Sequence, residues 1–327
     1  MHGFAGSKVL VTGGLGFLGS NLVHALVAAG AEVTIADALI AGHGGDPYNI
    51  LAVRDRVRLN LCDLRDAGVL RHLVRGQQFV FHLAGQVSHG DSMRDPELDL
   101  GVNCVSTINL VEACRHENPD AILVYTSTRQ VYGVAQRLPV DEAHPTVPVD
   151  VNGINKLAAE YYHLLYHRTY DLRSVVLRLT NAYGPRQQIG NQRQGFLGIF
   201  LHAALLGRPI QIFGDGEQRR DFHHADEVTQ ALLLAATTPA CYGQIFNLGG
   251  RAPHTLNALV AMLHEHCRFE HRHVPFPRDR KLIDIGDYYG DWSRFGAATG
   301  WRPSYDLRDG LAATIAFYRE HAAHYLR

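Results

Sequence analysis

Gly13, Gly16 and Gly19 stand three residues apart in the segment Thr12-Gly13-Gly14-Leu15-Gly16-Phe17-Leu18-Gly19. Glycine suits a tight turn and lets a backbone approach a pyrophosphate closely. A helix starting there would turn free N–H groups and the positive end of its dipole toward phosphate. That chemistry is dinucleotide binding, provided a strand precedes the glycines and a helix follows them. Asp37 lies 18 residues beyond Gly19. A carboxylate there accepts hydrogen bonds from the adenosine ribose hydroxyls and repels a 2′-phosphate, so NAD is favoured over NADP. Asp63 comes after a further predicted strand and is placed to meet the adenine edge.

Other residue types narrow the chemistry. Lysine occurs at Lys8, Lys156 and Lys281 alone, so arginine carries most of the positive charge and each lysine is worth locating. The five cysteines, Cys62, Cys104, Cys114, Cys241 and Cys267, form no C-x-x-C pair and suggest neither a disulfide framework nor a zinc site. The 20 histidines are mostly scattered, and His264 and His266 point in different directions on a predicted helix, so no metal is expected. The formal net charge of −1 gives no field to recruit nucleic acid or an anionic membrane. No apolar run approaches the ~18–20 residues of a membrane helix, and the start does not read as a signal peptide. The expectation is a soluble cytoplasmic enzyme that uses neither nucleic acid nor membrane as partner.

The elements that must position these groups follow from periodicity. Short apolar runs at 8–12, 32–36, 79–83, 121–125 and 174–179, and apolar residues alternating with arginine and asparagine over 57–61, read as strands. Helical spacing covers 17–29, 96–116 and 153–170, and Gly30 is a C-cap for the first. Alternating strands and helices predict an α/β fold with a doubly wound parallel sheet of Rossmann type. The character changes near residue 181, where glycine, glutamine, asparagine and arginine concentrate. The 327 residues therefore read as a dinucleotide-binding domain over 1–180 and a smaller C-terminal α/β substrate domain over 181–327. A segment near 225–250 is expected to return to the first domain.

With these residues placed, the chain resembles the extended short-chain dehydrogenase/reductases, in the NAD-dependent nucleotide-sugar epimerase/dehydratase family. The resemblance rests on the glycine motif, Asp37, His82-Leu83-Ala84-Gly85, Thr126-Ser127-Thr128 with Val131-Tyr132-Gly133, and Lys156. It continues through the segment from Leu179 to Arg186, Gly214-Asp215-Gly216, Arg220-Asp221-Phe222 and Asn247-Leu248-Gly249. It implies NAD as cofactor, held by Gly13, Gly16, Phe17, Leu18, Asp37, Asp63, Leu64, Leu83, Ala84 and Lys156. It implies a nucleoside-diphosphate sugar as substrate, met by Ser88, His89, Thr128, Asn181, Arg186, Arg220, Lys281 and Asp284. The family works through a transient 4-keto sugar, and a homodimer through the 96–116 and 153–170 helices is implied as well.

Two departures from the family pattern matter. Its Y-x-x-x-K reads here Asn152-Gly153-Ile154-Asn155-Lys156, so the phenol that would take a proton is absent. An amide cannot replace it as a base. The implied catalytic set is Thr128, Asn152 and Lys156. A held water, His89, Tyr132 or Tyr183 could supply the missing base. The dehydratase Asp-Glu pair after the catalytic Ser/Thr is replaced by Arg129 and Gln130. C4 epimerisation needs no such pair and is the leading expectation. Decarboxylation, dehydration, C3 or C5 epimerisation, and non-catalytic binding of NAD and a sugar nucleotide are the alternatives.

Overall fold

The computed structural model describes residues 3–193 and 195–326. Seven strands form one parallel sheet: β1 (Lys8–Thr12), β2 (Glu32–Asp37), β3 (Val57–Leu61), β4 (Phe79–His82), β5 (Ile122–Thr128), β6 (Arg173–Leu179) and β7 (Gln244–Asn247). Their order is β3-β2-β1-β4-β5-β6-β7. β1 is central, with Leu10 opposite Thr34 of β2 and Val80 of β4. Connections leaving β1 and β4 run in opposite directions, which opens a crevice beyond their carboxyl ends.

Period-two alternation decides which helices cover which face. Val9, Val11, Ile35 and Phe81 point to the side packed by α1 (Phe17–Ala28) and by a later helix, Ala225–Thr237. Leu10, Ala36, Val80 and Leu123 point to the side packed by α2 (Ala67–Leu73), α3 (Ser106–Glu117) and α4 (Val151–Tyr170). With both faces covered, the central strands read as continuous apolar runs. The helix Ala225–Thr237 is α5; it is followed by β7, which pairs with β6 in parallel. A second apolar cluster lies around Leu197, Leu201, Ile212, Leu259, Leu263, Leu311 and Ile315. There Ile210–Phe213 pairs with His271–Val274.

The segment read as one helix over 96–116 is built in three pieces. Pro96–Leu100 is α-helical, Gly101–Val105 is a π turn, and α3 follows. Asp99 and Asn103 are buried there. Asp99 accepts hydrogen bonds from Asn152 and Asn155, and Asn103 bonds the backbone of Gln86 on both sides. Apolar spacing carries no signal for such a turn, which commonly marks a functional site. After β4 a short helix, His89–Arg94, is capped by Ser88.

A buried ion pair ties α4 to β6. Glu160 is fully buried and accepts three hydrogen bonds from Arg178 and one from Ser127. Removing one partner leaves the other charge unpaired in the interior. Glu160→Ala is therefore expected to destabilise the fold by about 3–5 kcal/mol, as read from urea unfolding. A loss smaller than ~1 kcal/mol would contradict the pair's buried character.

Candidate active site

The carboxyl ends of the strands open into a cavity of roughly 1370 Å³ that runs from Asp37 to Arg220. Its first stretch is the glycine turn. Gly13 has φ +69°, and a Cβ there would lie 2.7 Å from the Ala84 nitrogen. A Cβ on Gly19 would lie 2.0 Å from the Gly13 carbonyl oxygen. The turn thus packs directly against the end of β4 and against its own helix. α1 starts at Phe17 with no side-chain cap and no acid in its first turn. Its first N–H groups are free to meet an anion.

Asp37, at the end of β2, accepts from Leu15 N–H at 3.0 Å and Leu39 N–H at 2.9 Å. Burial raises its pKa against these bonds. Each carboxylate oxygen keeps a lone pair for a ribose hydroxyl. Asp63 is held by Arg65, 2.5 Å away, which lowers its pKa. Phe17, Leu18, Leu64, Leu83 and Ala84 also line this end. Open helix terminus, close backbone approach and buried acid fit a dinucleotide.

Thr128, Asn152 and Lys156 line the middle. Thr128 ends β5, and its Oγ1 accepts from Gln130 N–H at 3.2 Å. Lys156 donates to the Thr126 carbonyl at 3.2 Å, and its ammonium lies 4.9 Å from the Tyr125 ring. Burial lowers its pKa to about 8, against the pull of Asp99 and Glu160. Asn152 is buried and already bonded. Its amide donates to Gln86 O at 2.8 Å and to Asp99 at 3.2 Å, and its backbone N–H meets Ser92 Oγ at 3.2 Å.

Asp150 caps α4, accepting from Gly153 N–H at 2.6 Å. It also accepts from Gln130 at 2.8 Å and lies 2.9 Å from His89 Nδ1. These partners keep its pKa low despite burial. Sequence reasoning missed Asp150; its signal was an aspartate immediately before a helix. Asp99 and Asn103, four apart on one helix, were missed as well. Ser88 and His89 line the cavity beside them.

At the far end lie Asn181, Arg220, Asp284 and Arg129. Asn181 donates to Asp221 O at 2.9 Å. Arg220 is buried, 3.3 Å from Asp284, and bonds the carbonyls of Arg219 and Gly286. Burial and the nearby Arg129 lower its pKa to about 10. Two expected substrate contacts do not line the cavity. Arg186 donates to Asn21 at 2.8 Å and faces the Phe317 ring, joining α1 to the C-terminal helix Leu307–Glu320. Lys281 is largely exposed, 3.7 Å from Asp284.

Residues 9–249 match the family described as NAD dependent epimerase/dehydratase. The chain belongs to that family. It is 34% identical to a UDP-glucose 4-epimerase of Mycolicibacterium smegmatis, over 95% of this chain and 98% of that one. It is 33% identical to a dTDP-glucose 4,6-dehydratase of Streptomyces griseus, over 96% and 95%. The structure of UDP-glucose 4-epimerase from Thermotoga maritima with UDP-glucose superposes with a TM-score of 0.89, at 30% identity over 96% of this chain and 99% of that chain.

As a member of this family the protein uses NAD, and the residues that fit it are those around the glycine turn, Asp37 and Lys156. The alternative phenols are elsewhere. Tyr132 is buried, donates to Asn247 at 2.7 Å and accepts from Arg178, and burial pushes its pKa up to about 12. Tyr183 is buried against Gly310 and His224, with its pKa pushed higher. Neither lines the cavity. Among the described residues no group of three or more His, Cys, Asp or Glu could hold a metal ion, and no helix is long and apolar enough to cross a membrane.

The Lys156 ammonium is disfavoured by burial, so the folded form gives up its proton before the unfolded chain does. Carrying the charge costs stability below pH 8, and the cost disappears as pH rises from 8 toward 10.5. With three lysines in the chain, a ¹³Cε-lysine NMR spectrum is simple to assign. The signal lost in Lys156→Met is expected to titrate near pH 8 in the protein without ligands. A midpoint at the ordinary lysine value would contradict the burial argument.

Proposed function

We propose that this protein interconverts two nucleoside-diphosphate sugars that differ at C4, in an NAD-dependent reaction through a 4-keto sugar. The observation that carries the reading is the continuity of one cavity. It joins the glycine turn and Asp37 to Thr128 and Lys156, and these to Arg220 and Asp284. A molecule with a diphosphate at one end and a sugar at the other suits its second half.

NAD, when bound, supplies the acceptor for a hydride from a sugar carbon and can return it. The chain's own residues do the rest. Gly13, Gly16, Phe17 and Leu18 leave room and free N–H groups for the pyrophosphate. Asp37 holds the adenosine ribose, and Asp63 and Leu64 border the adenine. Lys156, next to Thr126 O, holds the other ribose. Thr128 accepts from Gln130, which leaves its own O–H free to donate to the C4 oxygen. The carbonyls of Arg219 and Gly286 hold Nη1 of Arg220 and Asp284 takes one Nη2 donor, which leaves Nε and the second Nη2 donor for the diphosphate.

Relatives of both reaction types are similar to this chain, and the side chains after Thr128 favour one of them. Arg129 and Gln130 offer neither a general acid nor a base for C5 and C6. Gln130 is moreover committed to Asp150 and to the Ile283 carbonyl. Simple epimerisation requires nothing at those positions.

A homodimer belongs to the same reading. Ile154, Tyr161 and Leu165 are exposed along one side of α4, and Leu100 and Val105 are exposed on the neighbouring segment. Contiguous apolar surface of this kind is uncommon on a monomer. A second copy presenting the same helices would cover it.

Two outcomes are expected. Incubation with NAD and UDP-, GDP-, CDP- and dTDP-hexoses and hexuronates in deuterated water should give, by NMR, a C4 epimer with no deuterium at carbon. Thr128→Val should lower its kcat by ~10²-fold or more. Deuterium at C3 or C5, or loss of a carboxylate, would overturn the C4 assignment. In sedimentation the protein should run at twice its chain mass, and Tyr161→Glu with Leu165→Glu should halve that value. A monomeric wild type would refute the dimer.

A further inference from the structure

The family's tyrosine position is filled here by a buried amide with both donors spent, so a proton leaving a C4 hydroxyl needs another acceptor. Of the acidic groups on the cavity wall, Asp279 is exposed on the short helix Arg278–Lys281 and the others are engaged. Asp63 pairs with Arg65, Asp91 with Arg94 and Arg193, and Asp284 with Arg220. Asp37 holds two backbone N–H groups at the dinucleotide end, and His43 belongs to that end as well. Lys156 is itself a cation at neutral pH. Tyr132 and Tyr183 lie outside the cavity.

His89 differs from all of these. Its ring lines the cavity and its side chain is 34% exposed. Nδ1 is turned to the buried Asp150 carboxylate at 2.9 Å, which leaves Nε2 as the nitrogen available to a ligand. The carboxylate is itself fixed, by Gly153 N–H at the start of α4 and by Gln130, whose N–H bonds Thr128. Carboxylate, imidazole and Thr128 thus belong to one connected set. Asn152 anchors the segment that carries His89 at both ends, through Gln86 O and Ser92 Oγ.

Resting on the C4-epimerase reading, we propose that His89 is the general base and acid of this enzyme, with Asp150 as its positioning residue and Asn152 holding its segment in place. A carboxylate 2.9 Å from Nδ1 favours the tautomer protonated there and leaves Nε2 with a lone pair. In the oxidation the O–H bond of the C4 alcohol breaks and the proton passes to Nε2. Its electron pair becomes the second C–O bond, and the C4 hydrogen leaves as hydride to NAD, the oxidant of the family. In the reduction the hydride returns to the opposite face of C4, and the imidazolium gives its proton back to the oxygen. The role needs no phenol.

The test combines activity with a spectrum of the protein alone. His89→Gln is expected to lower kcat by ~10²–10⁴-fold with the KM for sugar nucleotide little changed. Imidazole added to His89→Ala should restore part of the rate. Asp150→Asn keeps a capping side chain and should lower kcat in the same direction. Independently of turnover, ¹⁵N-histidine NMR of the neutral ring should show His89 protonated on Nδ1, a bias lost in Asp150→Asn. The His89 signal is identified by its absence in His89→Gln. A wild-type ring protonated on Nε2 would overturn the assignment, since that nitrogen would then have no lone pair. An active wild type with an equally active His89→Gln overturns this assignment alone. A wild type inactive on every sugar nucleotide overturns the epimerase reading and this assignment with it.

Discussion

Asp150 is a carboxylate withdrawn from water and shared among three segments. It caps the helix that carries Asn152 and Lys156, takes the amide of Gln130 beside Thr128, and faces the imidazole of His89. A buried charge of this kind is tolerable when hydrogen bonds replace the lost hydration. Those bonds come from Gln130 just after β5 and from the start of α4, while His89 of the segment after β4 stands 2.9 Å away. Satisfying one charge therefore fixes how the three approach each other. Asp99 does the same a turn away, where Asn152 and Asn155 satisfy it and Lys156 lies close. The residues that line the middle of the cavity are thus held from behind by a pair of buried acids.

The parts of this arrangement that follow local rules were legible in the chain. Glycines at 13, 16 and 19 announce a turn, and at Gly13 and Gly19 the observed clearances leave no room for a side chain. Apolar runs marked the strands through β6 because both faces of the sheet are covered. Asp150, Asp99 and Asn103 were not legible as site residues. Their importance comes from what they touch across the fold, and a polar residue near a helix start has many ordinary explanations. The π turn was hidden for the same reason, since the apolar spacing on either side of it is normal. Arg186 illustrates the converse error: a family motif carried it toward the substrate, whereas packing commits it to Asn21.

The asparagine at the head of α4 does more than leave out the phenol that the resemblance implies. A shorter side chain with two amide donors can satisfy Gln86 O and Asp99 at once. The residue at this position then serves the backbone around it. The adjoining short helix His89–Arg94, which Ser88 caps and Asn152 ties down, brings His89 to the cavity wall. The head of α4 and the segment after β4 thus converge on one point through this single residue.

The return of the chain to lay down α5 and β7 sets an order on its synthesis. When β6 has just been made, its outer edge from Val175 to Arg178 has no neighbour, and the Leu22, Val23 and Leu26 face of α1 lacks its cover from Val228 and Leu232. An open edge beside uncovered apolar surface is a template for association with other nascent chains. That exposure lasts until residue 247 has been added, after Phe196–Leu205 and Ile210–Phe213 have already been made. The sheet of this protein closes late, and its most vulnerable interval falls between the sixth strand and the seventh.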